Sequence, residues 1–120
     1  MYDHIGLKVT SLDASVRFYR AALGALGHVL LSQDEASASF GPPGQPAFWL
    51  YLAKGPVGPG IHIAFRATER TDVDRFFRVG VEAGGRGHGR PGVRAEYGPS
   101  YYAAFLLDPD GNNVEAVCLR

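Results

Sequence analysis

The chain contains an internal repeat, and a duplicated unit constrains a fold more tightly than local propensity does, because the same order of elements must be built twice. Shifting the sequence by 58 positions lays His4-Ile5-Gly6-Leu7-Lys8-Val9-Thr10 on His62-Ile63-Ala64-Phe65-Arg66-Ala67-Thr68 without a gap. The same shift lays Arg17-Phe18-Tyr19-Arg20 on Arg75-Phe76-Phe77-Arg78, and Gly27 on Gly85. Within positions 4 to 27 there are eight identities, at His4, Ile5, Thr10, Arg17, Phe18, Arg20, Ala25 and Gly27. Unrelated segments of that length share about one or two.

Each copy reads as the same run of elements. In the first, Ile5, Leu7 and Val9 alternate with His4, Gly6 and Lys8, the pattern of a half-buried strand. Ser11 or Asp13 can cap a following helix, whose apolar stripe is Leu12, Val16, Tyr19, Leu23 and Leu26 and whose breakers are Gly24 and Gly27. Strands are predicted near 28–32, 36–40 and 47–53, with Gly41-Pro42-Pro43-Gly44 as one turn. This is a βαβββ unit. The second copy gives a strand at 61–66 and a helix near 71–84 with Val73, Phe76, Phe77 and Val81 inward. Strands near 101–107 and 112–118 follow, joined by the turn Asp108-Pro109-Asp110-Gly111. Residues 84–100 are rich in Gly, Arg and Pro and read as a mobile loop with room for one short edge strand. The expected class is α+β, one domain over 1–120, with module one about 1–55 and module two about 60–120.

A length of 120 residues with 46% hydrophobic and 20% charged residues fits one globular domain. Twelve basic residues balance twelve acidic ones, so no net field favours nucleic acid or an anionic membrane as partner. The start, Met1-Tyr2-Asp3-His4, has neither a basic nor an apolar leader, and no apolar run reaches bilayer length; the expected location is the cytoplasm. Cys118 is the sole cysteine, which excludes an internal disulfide and a thiolate zinc cluster. A metal would have to be held by His and carboxylate.

Those residue types stand at telling places. Period-two alternation puts His4 and His62 on the strand faces opposite their apolar neighbours, and puts Glu115, with Asn113 and Val117, opposite Val114, Ala116 and Cys118. Two imidazoles and a carboxylate suit one divalent ion (Fe, Mn, Ni, Co or Zn) and leave positions open for a substrate. A lone His near a chain start, or a Glu beside a terminal hairpin, is ordinarily a solvated residue; matching places in the repeat set these three apart. His28 and His88 lack that support and are expected to be exposed. Across the final hairpin, Tyr102 and Ala104 are expected on the face of Glu115, which makes Tyr102 the predicted proton donor. Trp49 and Tyr51 are candidates to line the same cleft, the alternative being core packing. Arg94, with Arg86 and Arg90, can bind a carboxylate or phosphate of a substrate, the alternative being a solvated loop.

With these residues in view, the chain resembles the vicinal oxygen chelate (VOC) superfamily, the glyoxalase/bleomycin resistance protein/extradiol dioxygenase group. The likeness spans nearly all 120 residues. It rests on His4-Ile5-Gly6-Leu7-Lys8-Val9, on Val16-Arg17-Phe18-Tyr19 leading to Leu23-Gly24, and on His62-Ile63-Ala64-Phe65. Above all it rests on Leu107-Asp108-Pro109-Asp110-Gly111-Asn112-Asn113-Val114-Glu115. The resemblance implies two paired βαβββ modules forming a curved mixed sheet around a cleft, a small-molecule substrate, a homodimer, and metal ligands at His4, His62 and Glu115. Glyoxalase I-like members supply a fourth ligand from the last strand of the first module. Here that position is Trp49, and an indole cannot ligate a cation, so the resemblance implies a three-ligand site and speaks against lactoylglutathione lyase proper. The likeness to the fosfomycin enzymes weakens at Gly6 and in the loop before Leu107, and extradiol enzymes are usually longer. The implied function is a divalent-metal-dependent enzyme acting on a small oxygenated substrate by lyase, isomerase or dioxygenase-type chemistry. The metal would serve as Lewis acid, with Glu115 and Tyr102 as catalytic groups. The alternative is a metal-free protein that sequesters a small molecule, as bleomycin-binding relatives do. His4 and His62 can meet within one chain or across two.

Overall fold

The computed structural model describes residues 1–58 and 60–120. Among them the first copy of the repeat builds β1 (Ile5–Val9), α1 (Leu12–Gly24), β2 (Val29–Gln33), β3 (Ser37–Gly41) and β4 (Phe48–Leu52). The second builds β5 (His62–Arg66), α2 (Arg70–Glu82), β6 (Arg86–Val93), β7 (Tyr102–Leu107) and β8 (Asn113–Cys118). Each copy closes its own four-stranded sheet, in the orders β1-β4-β3-β2 and β5-β8-β7-β6. The first strand of each runs parallel to the last, and the other neighbours are antiparallel. The parallel pair needs a long crossover, which the helix and the two intervening strands supply. The result is an α+β fold of two separate mixed sheets rather than one continuous sheet.

Local chemistry explains the helix ends. Ser11 caps α1 by accepting from the Ala14 amide at 3.3 Å, and the chain leaves that helix through Gly27 at φ +89°. At α2, Glu69 and Asp72 form a reciprocal capping box. Leu7 and Val9, Phe18, Tyr19 and Leu23, Phe40 and Leu50 join Val73, Phe76, Leu106 and Val114 in one contiguous core. The helix-facing sides of both sheets thus share a core, and the opposite sides carry the exposed His4, Gly6 and Lys8 and the exposed His62, Ala64 and Arg66.

The modules are also tied by polar bonds. The Tyr19 hydroxyl donates to Asp108 at 2.6 Å, and Asp108 accepts in addition from the Asp110 amide at 2.9 Å, the Asn112 amide at 2.9 Å and the Asn112 side chain at 3.0 Å. Thr10 donates to Asp110 from both its amide and its hydroxyl. The β7–β8 turn is therefore pinned to α1 and to the end of β1.

Four expectations are corrected here. The stretch read as a mobile loop is the eight-residue strand β6, paired to β7 with slips between Gly87 and Gly89 and between Gly89 and Gly92. An edge strand built of Gly, Arg and Pro has no apolar alternation to betray it. The β7–β8 register pairs Leu107 with Asn113 and Phe105 with Glu115, so the loop holds residues 108–112 and the Asp108 amide closes it on the Asn112 carbonyl at 2.9 Å. A loop one residue longer than the four-residue turn puts Tyr102 and Ala104 on the other face. Val81, expected inward, is 43% exposed, and Gly80 takes the buried place. His28 is half-buried rather than exposed, beside a small apolar cavity lined by Leu23, Phe40, Phe48 and Phe65. Among the described residues, no helix is long and apolar enough to cross a membrane.

Candidate functional site

β8 is an inner strand of the second sheet, with β5 on one side and β7 on the other. Glu115 lies at its middle, opposite Ala64 of β5 and Phe105 of β7. Directly paired residues share a face, so Glu115 shares its side of the sheet with His62 and Ala64, and with Tyr101, Ala103 and Phe105. Its side chain is 3% exposed. A carboxylate so buried needs partners for both oxygens. Oε2 accepts from the Tyr101 hydroxyl at 2.5 Å, and Oε1 lies 3.1 Å from His62 Nε2.

The far side of the imidazole decides what that last contact means. His62 Nδ1 is 3.1 Å from the Asn113 carbonyl oxygen. A carbonyl only accepts, so Nδ1 carries a proton and donates it. Nε2 is then the nitrogen turned towards the carboxylate oxygen. The two can stand this close with a proton between them, carried by the imidazole or by the carboxyl group, or with a metal cation between them. The donor types, one imidazole nitrogen and one carboxylate oxygen, with Nδ1 held by a carbonyl, fit a divalent transition metal or zinc.

Around this pair, Phe105 stacks on His62 with centroids 6.4 Å apart and planes at 24°, and the Arg94 guanidinium sits 5.4 Å from the Phe105 centroid. Arg94 donates to the carbonyls of Gly92 at 3.0 Å and Arg90 at 2.6 Å, which leaves further N–H groups free of those two bonds. Tyr97 packs on Tyr101 at 5.2 Å. His62, Tyr97, Tyr101, Phe105, Asn113 and Glu115 line a cleft of about 480 Å³. The hydrogen bond to Glu115, with burial and the carboxylate charge behind it, pushes the Tyr101 hydroxyl up to about 12.

His4 does not join this pair within the chain. It lies before β1, its side chain 54% exposed, with Nδ1 2.7 Å from the Asp3 carboxylate. Ile5 lines one cavity with Phe65, and Lys8 lines another with Ile61 and Asn112. β1 therefore lies alongside β5 in the opposite direction, which puts His4 and His62 at opposite ends. Among the described residues, no three of His, Cys, Asp and Glu are grouped so as to hold a metal ion.

Tyr102 stands on the helix side of its sheet, where its hydroxyl donates to Asp74 of α2 at 2.6 Å and Arg70 lies 5.0 Å from its ring. The phenol at Glu115 is its neighbour Tyr101. Trp49 and Tyr51 are stacked at 6.1 Å on the outward face of the first sheet and do not line the Glu115 cleft of the same chain. Trp49 pairs with Gly6 as Glu115 pairs with Ala64, and Gly6 and Ala64 are equivalent in the repeat. Trp49 thus holds the place of Glu115 in the first module. Tyr51 covers Gly6 so closely that a Cβ there would come within 2.7 Å of its ring. Tyr97, Tyr101 and Phe105 are the cleft residues that sequence reasoning missed. Reading Asn112 as a fifth loop residue, bonded to Asp108, would have found the last two.

Fold and site together define a class: a small α+β protein of two βαβββ modules that presents a histidine and a buried carboxylate on the outward face of its second sheet. The sequence matches the Glyoxalase/Bleomycin resistance protein/Dioxygenase superfamily over residues 2–116. The chain belongs to that superfamily. Among solved structures it is similar to a glyoxalase/bleomycin resistance protein from Albidiferax ferrireducens T118, with 28% identity, 98% of each chain covered and a TM-score of 0.84. A glyoxalase-related enzyme from Fulvimarina pelagi matches at 21% identity over 95% of this chain and 84% of that one, with a TM-score of 0.76. A glyoxalase I variant from Zea mays matches at 22% identity over 96% of this chain and 44% of that one, with a TM-score of 0.74. The latter two likenesses concern the fold. No curated protein matches the sequence significantly.

Proposed function

We propose that this protein is a divalent-metal-dependent enzyme acting on a small oxygenated substrate, its metal held by His62 and Glu115 of one copy and by His4 of a second copy in a homodimer. The observation that carries the reading is the 3.1 Å approach of His62 Nε2 to Glu115 Oε1, with the other ring nitrogen held at the Asn113 carbonyl. The pairing of two copies is supported by the opposite run of β1 and β5 within one chain, which keeps His4 away from His62. A two-fold axis that sets the outward face of the first sheet of one copy against that of the second sheet of another would supply the same ligand set twice.

When bound, the cation would polarise the oxygens of a substrate as a Lewis acid. The chain's own residues then orient and bind. Tyr101 holds Glu115, the Phe105 ring offers an apolar face, and the remaining Arg94 N–H groups are placed for an anionic substituent. A metal-free sequestering protein is the second reading, favoured by the stacked Trp49–Tyr51 pair. Elemental analysis of tag-free protein separates the two. The enzyme reading predicts about one divalent ion per chain, lost in Glu115→Ala and in His4→Ala, and regained in part when those two variants are mixed, because one of the two sites of a mixed dimer is intact. Protein that neither carries nor takes up a divalent ion would leave the sequestering reading standing.

A further inference from the structure

We infer that Tyr101 is a positioning residue whose hydroxyl occupies Glu115 Oε2, so that this carboxylate meets a cation through Oε1 alone. The inference rests on the metal-dependent reading above. Glu115 has two oxygens and two different neighbours: Oε2 accepts from Tyr101 at 2.5 Å, and Oε1 faces His62 at 3.1 Å. The carboxylate is nearly fully buried, so which oxygen is presented depends on these two contacts.

Tyr101 is itself held at three points, two on its backbone and one on its ring. The Arg94 amide donates to the Tyr101 carbonyl at 2.8 Å, the Tyr101 amide donates to the Gly98 carbonyl at 3.3 Å, and the Tyr97 ring packs at 5.2 Å. Tyr101 and Phe105 are four residues apart along the strand direction and share a face, which brings the hydroxyl over β8 at Glu115. A carboxylate bound through both oxygens takes two positions around an ion, and one bound through a single oxygen takes one. Tyr101 thereby reserves one more position for the substrate, which matters most for a substrate that binds through two neighbouring oxygens. Sequence alone points to the wrong phenol, because Tyr102 donates on the opposite face to Asp74.

The test is Co(II) binding by the full chain, read by affinity and by the visible ligand-field spectrum. Tyr101→Phe is expected to weaken Co(II) binding about 10- to 100-fold, the range for loss of an outer-shell partner. Its spectrum should also lose intensity as the freed oxygen joins the ion and the coordination number rises. Tyr102→Phe, which removes a hydroxyl from the other face of the same strand, controls for folding and should leave both readouts unchanged. If wild-type protein binds Co(II) and Tyr101→Phe binds it with the same affinity and spectrum, this inference fails and the metal site stands. If the wild type takes up no Co(II), both fail together.

Discussion

At the scale of single residues, a buried carboxylate acts only through its donors, and Asp108 shows the consequence for a site elsewhere. It takes four hydrogen bonds, three from its own loop and one from Tyr19 across the core. The loop so held sets the register that places Glu115 opposite Phe105. Burial, followed by the Asp108 charge, raises the Tyr19 hydroxyl well above its ordinary value, so it remains a donor. A hydrogen bond to a charged group is worth about 1.5–3 kcal/mol, so Tyr19→Phe should lower the unfolding free energy by about that amount. Urea denaturation followed by circular dichroism measures it. An unchanged midpoint would show that Asp108 is satisfied by its loop alone. The sequence displayed every residue of this network, but not that Tyr19 and Asp108 meet, since period-3.6 and turn patterns carry no information about contacts 89 positions apart.

At the scale of elements, identical letters at repeat positions serve different needs. Gly27 ends α1 in the left-handed region, at φ +89°, with open space around it. Its repeat partner Gly85 does not carry that conformation; Gly84 does, at φ +105°. Gly85 is instead a point of close approach, where a Cβ would come within 2.3 Å of the Phe18 ring and 2.9 Å of the Gly80 carbonyl. Gly85→Ala should therefore cost about 1–3 kcal/mol of stability through overpacking between α1 and the end of α2. A Gly27→Ala comparison by thermal unfolding separates that packing cost from a backbone cost. Element legibility followed the same divide. Strands and helices with a buried face announced themselves by periodicity, and β6, an edge strand with little apolar surface, did not.

At the scale of the molecule, the two modules meet over an apolar cavity that Ile5, Leu23 and Phe48 of the first share with Phe65 of the second, and His28 stands at its edge. Its Nδ1 is buried without a partner among the described residues, and burial lowers its proton affinity below the ordinary value of 6.5. The folded protein thus prefers the neutral ring, and as pH falls the unfolded chain takes up a proton first. The resulting stability is fully present above about 6.5 and is lost as pH falls through the lowered folded value. His28→Gln should flatten the pH dependence of the urea midpoint across that window, and an undiminished slope would assign the effect to another group.

By itself the amino-acid sequence determined the first βαβββ unit, the second apart from β6, and the sides of the strands on which His4, His62 and Glu115 lie, because these follow from local periodicity and from duplication. Only the tertiary structure decided that His62 meets Glu115 while His4 pairs with Asp3, and that Tyr101 rather than Tyr102 bonds the carboxylate. The first depends on how two sheets are turned against each other by the helices of a common core. The second depends on one residue of loop length, which reverses every side chain of a strand without altering its pattern.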